Sequence, residues 1–73
     1  MKQTYIAFFE DRAGKRIDFE RFSCKKVETV KKYIRELWNN SLYRVCTKGA
    51  EIVKIYATPD GIQAAEPAAI VEL

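Results

Sequence analysis

Only one stretch of this chain repeats its apolar residues at helical spacing, and that limits the architecture more than any other feature. Val27, Val30, Ile34 and Leu37 recur every three or four residues, with Tyr33 and Trp38 on their flanks and Asn39-Asn40 as a stop signal. A single amphipathic helix has a single apolar stripe, so it can cover one face of a sheet and no more. The residues before it fit a capped start, with Ser23 as N-cap and Phe22 packing on Val27 as a hydrophobic staple. On the far side of the helix Lys25, Glu28, Lys32, Arg35, Glu36 and Asn39 form a charge-mixed, solvated face, and Glu28 stands four residues before Lys32 as a favourable pair.

The flanking segments read as strands. Residues 4–9 place Tyr5, Ala7 and Phe9 on one face and Ile6 and Phe8 on the other; both faces are apolar, as in a central strand. A turn containing Gly14 follows, and residues 16–21 then alternate Ile17 and Phe19 against Asp18 and Glu20, which predicts a hairpin whose second strand has one wet face. Residues 42–47 and 52–58, joined through Gly49, predict a second hairpin, and Thr58-Pro59-Asp60-Gly61 punctuates its end. The expected class is α+β in the order ββαββ, with the helix packed on one face of a four-stranded sheet. Residues 1–58 form the compact domain, and residues 59–73 form an acidic, alanine-rich tail that either hangs free or lays a short fifth strand on the sheet.

At 73 residues the chain holds one domain, whose net stability is expected to be only about 3–5 kcal/mol. Its 48% hydrophobic and 32% charged residues suit a folded rather than a disordered chain. No apolar run approaches the ~18 residues that span a bilayer, and the short patch after Lys2 is ended by Glu10 and Asp11 before it could serve as a signal peptide; a cytoplasmic location is the expectation. Cys24 and Cys46 could close at most one disulfide and are expected to be reduced and buried. Cys24 carries one reservation, since the predicted helix start would set its thiol beside Lys25 and Lys26, where dipole and cations activate it.

Enzymatic chemistry has little to work with. The chain has no histidine, no phosphate-binding glycine loop and no metal-ligand spacing, so neither cofactor nor metal is expected. The acid pairs Glu10-Asp11 and Asp18/Glu20 fall in a turn and on a wet strand face, where nothing would set one carboxyl apart from the other.

Binding is the remaining class, and the uncovered sheet face is where it points. If Tyr43, Val45, Val53, Ile55 and Ala57 face the helix, then Arg44, Cys46, Lys54 and Tyr56 face outward, joined by Asp18 and Glu20 and partly covered by Ile62, Ile70 and Val71 of the tail. The first expectation is a non-enzymatic module that meets a protein partner, or a second copy of itself, through this face or a sheet edge. Small domains of this composition include accessory regulators and inhibitors, among them those of phages and mobile elements. The alternative is nucleic acid. All 13 Lys and Arg precede residue 59, against seven acids there, so residues 1–58 carry about +6. Cations and aromatics on one sheet suit single-stranded nucleic acid, with Lys32 and Arg35 as part of a second basic site on the helix. The candidate binding residues are therefore Arg44, Lys54, Tyr56, Lys32 and Arg35. A membrane surface is not expected, because the helix stripe is needed for the core.

Overall fold

Gly14 turns the chain with φ 87°, a left-handed conformation that costs glycine little, and brings two long strands together. Asp11 secures the turn by accepting hydrogen bonds at Oδ1 from the amides of Ala13 and Lys15, both 2.9 Å away. The computed structural model describes residues 3–40, 47–59 and 62–73. Its elements run β1 (Gln3–Glu10), β2 (Arg16–Cys24), α1 (Val27–Trp38), β3 (Ile52–Ala57) and β4 (Ala69–Glu72). The strands form one antiparallel sheet in the order β2-β1-β3-β4. This is an α+β fold of ββαββ order, with β1 central, as its two apolar faces imply.

The core lies between α1 and one face of the sheet. Val30 and Ile34 are fully buried there with Phe9, Val53 and Ile55, and Tyr5, Cys24 and Val71 are nearly so. The stripe closes on Trp38 rather than Leu37. Trp38 stacks on Phe9, with ring centroids 6.4 Å apart, while Leu37 is half-buried outside this cluster. Tyr33 lies flat over Phe22 at 6.2 Å and roofs the β2 side of the core. On the solvent side of α1, Glu28 pairs with Lys31 at 3.3 Å, one residue earlier than the expected Lys32.

Ser23 is not a helix cap. It is the penultimate residue of β2, exposed and paired with Thr4, because the ladder to β1 continues through Cys24 opposite Gln3. The helix starts after Lys26, which is extended and offers no side-chain cap. Cys24 is accordingly a buried free thiol at the end of β2, two residues before the extended Lys26 that precedes the helix.

The tail contributes β4, which pairs antiparallel with β3 on the side away from β1. Residues 52–55 of β3 are bound by β1 on one side and β4 on the other. Their expected partner, residues 42–47, lies outside the described residues apart from Thr47, which sits in a turn. The tail also extends the sheet sideways instead of covering its open face: Val71 points into the core, Ile70 points the other way, and Ile62 is largely exposed.

These placements give a graded stability series. Ile34→Ala is expected to cost about 2–5 kcal/mol, enough to unfold much of a domain this small. Leu37→Ala should cost distinctly less, and Ser23→Ala should stay within about 0.5 kcal/mol of the parent, since no cap is lost. Urea melts of the three variants check the order; a loss for Ser23→Ala equal to that for Ile34→Ala would contradict it.

Candidate functional site

Alternation along β1 and β3 sets Ile6, Phe8, Lys54 and Tyr56 on the face opposite the helix. On β2 the alternation is interrupted. Phe9 pairs with Asp18 and Glu10 with Arg16, so Ile17 is an extra residue, a bulge. Ile17 packs against the core, and from Asp18 onward each side chain takes the face opposite to the one strict alternation from Arg16 would give. Phe19 therefore joins the open face opposite Phe8, and Arg21 joins it opposite Ile6. Asp18 and Glu20 align with Phe9 and Ala7 on the helix side, so the expected placement of Phe19 inward and the two acids outward is reversed.

The result is a second, smaller cluster on the open face. Phe8 is its centre, with Phe19 tilted against it at 6.2 Å and Tyr56 edge-on at 5.7 Å. The Arg16 guanidinium lies 3.8 Å over the Phe8 ring, and Arg21 stands 5.9 Å from the centroid of Phe19. Phe8 and Tyr56 are each only 8% exposed, whereas Phe19 is 51% exposed. Across the sheet one row runs Phe19, Phe8, Lys54, Ile70, with both ends wet, since Ile70 is 55% exposed.

Glu10 sits beneath the cations. Its side chain is 4% exposed, with Arg16 Nε at 3.6 Å from Oε2 and Lys54 Nζ at 3.2 Å from Oε1. The Lys54 contact is short but off the hydrogen-bonding direction, and Oε1 accepts no hydrogen bond, so that attraction is coulombic. One carboxylate thus holds two cations close to the sheet. Arg21 forms no such ion pair among the described residues. It borders a depression of about 310 Å³ lined by Thr4, Ile6, Arg21, Thr58 and Gln63.

The expected site residues fall in two places. Lys54 and Tyr56 belong to the open face, and Lys32 and Arg35 are exposed on α1, across the sheet from it. Arg44 lies outside the described residues. Glu10, Arg16, Phe19 and Arg21 were missed as site residues: Glu10 reads as part of the turn that Arg16 leaves, and the bulge decides the side of Phe19 and Arg21. The signal available was weak: two aromatic residues in β2, Phe19 and Phe22, at a spacing of three that no strict alternation can bury together.

Removing the shared carboxylate should be felt through both contacts. Glu10→Gln is expected to lower stability by about 1–2 kcal/mol, and Arg16→Gln or Lys54→Gln by less, because each cation also reaches water. Double-mutant cycles by urea denaturation measure the coupling of Glu10 to each cation; values below about 0.3 kcal/mol for both would remove Glu10 as the anchor of this face.

No protein-family model, curated protein or solved structure matches this chain.

Proposed function

We propose that the chain is a small non-enzymatic binding module whose open sheet face receives a protein partner. The observation that carries this reading is the transverse row ended by Phe19 and Ile70, two large apolar side chains more than half exposed on one face. Each is already about half covered, so covering it completely would gain about half of the ~1.5–3 kcal/mol that burying a wholly exposed side chain gains. Around them stand Arg16, Arg21 and Tyr56, residue types enriched where protein interfaces concentrate their binding energy. The face is favoured over the edge. β2 is the longer edge strand among the described residues, but it presents Arg16, Asp18, Glu20 and Arg21 along its length and is bent by the bulge, features that discourage strand addition. An accessory regulator or inhibitor would act by occupying its target in this way.

Nucleic acid is the second reading, supported by three cations on the same face as the aromatics. It is weakened by their packing. Phe8 and Tyr56 are too covered to stack a base, and Glu10 already offsets two of the charges.

Affinity capture from the native cell, with and without nuclease, distinguishes the readings. Phe19→Ala and Ile70→Ala are each expected to weaken capture of the bound protein at least about tenfold, with little dependence on salt or nuclease, while Lys32→Ala and Arg35→Ala leave it unchanged. Capture lost on nuclease treatment and at ~200 mM salt, and indifferent to Phe19 and Ile70, would favour nucleic acid instead.

A further inference from the structure

We infer that the depression beside Arg21 is a carboxylate-binding subsite, which receives an acidic side chain of the partner while neighbouring apolar residues of that partner cover Phe19. This rests on the open-face reading above and adds the chemistry of the partner to it. Arg16 and Lys54 share Glu10, whereas Arg21 has no acid to pair with among the described residues. It is also separated from Glu72, the other strand acid of this face among the described residues, by three strand spacings, about 14 Å across the sheet alone. The planar guanidinium presents paired N–H donors that match the two oxygens of a carboxylate.

The rest of the depression fits that ligand. Ile6 supplies an apolar wall against which the methylenes of a glutamate or aspartate can lie. Thr58 holds the end opposite β2 in place: its hydroxyl and its amide both donate to the Thr4 carbonyl, at 2.7 and 3.0 Å. Gln63 adds a carboxamide that can donate a second hydrogen bond. With the Thr58 amide and hydroxyl hydrogens already used, one guanidinium is the only charge lining the depression among the described residues, which matches a monoanion better than a phosphate dianion. The volume of about 310 Å³ is at the small end for ligand pockets and leaves room for a side chain with its flanking backbone.

The test is an amide-resolved NMR titration of the full chain with N-acetyl-glutamate N-methylamide, a single carboxylate on a peptide unit. Its uncharged glutamine counterpart and inorganic phosphate are titrated in parallel. The acidic probe is expected to shift the amides of Thr4, Ile6, Arg21, Thr58 and Gln63 saturably, and to bind at least about tenfold more tightly than the glutamine probe. Arg21→Gln should lose that advantage, Arg21→Lys should keep part of it, and Lys48→Gln, at an exposed lysine outside the depression, should keep all of it. Equal binding of the two peptides, tighter binding of phosphate at the same amides, or full retention by Arg21→Gln would each overturn the assignment. The comparison of the two peptides on the unaltered chain decides the matter even if an Arg21 variant folds poorly. Failure here, with capture still dependent on Phe19 and Ile70, would remove the carboxylate subsite and leave the protein-binding face standing.

Discussion

Between Phe9 and Glu10 the ladder to β2 advances by two residues instead of one, and Ile17 is left over. A side chain's face in a strand is fixed by counting in twos, so one extra residue changes the face of everything beyond it. That single irregularity keeps Ile17 against the core and yet delivers Phe19 and Arg21 to the opposite side of the sheet. Without it the acids Asp18 and Glu20 would lie among the cations of the open face and oppose any acidic partner. With it, the strand acids left on that face among the described residues are Glu10, buried under Arg16 and Lys54, and Glu72 on the far strand.

The sheet then has two apolar faces and one helix. A helix stripe formed by Val27, Val30, Ile34 and Trp38 is sufficient for the first. The second is closed by side chains of the sheet itself: an arginine laid over Phe8, a tyrosine edge against it, and the stem of Lys54 alongside. This covering is incomplete. Phe8 and Tyr56 are shielded, but the row they belong to ends in wet Phe19 and wet Ile70. The centre of this apolar face is shielded and its two ends are exposed, and the proposed protein-binding reading rests on those ends.

Much of the frame could be read from residue order. The two apolar faces of residues 4–9 placed β1 in the centre, the three-and-four spacing placed α1, and the alternation of Val53, Ile55 and Ala57 with Lys54 and Tyr56 sorted β3 correctly. What escaped were contests between two locally sound patterns. Ser23 has the chemistry of a cap, but the β1–β2 ladder holds its backbone, and long-range pairing outweighed a local bond worth about 1 kcal/mol. Leu37 and Trp38 both fit the stripe, and the indole closes it because it meets the ring of Phe9. The tail's Ala69–Glu72 is the short strand that residue order left as one of two options, and its place beside β3 depends on β3 offering an open side. The Arg21 depression is assembled from both ends of the chain and from β2, a juxtaposition that no spacing in the sequence encodes.

The bulge is the claim on which the open face depends, and ring-to-ring nuclear Overhauser contacts of Phe19 test it most directly. On this account the Phe19 ring protons show cross-peaks to Phe8, whose ring centroid is 6.2 Å away, and none to Ile34 or Trp38 in the core. Cross-peaks from Phe19 to Ile34 or Trp38, with none to Phe8, would mean that β2 alternates without interruption, that Phe19 faces the helix, and that the proposed binding face does not exist in this form.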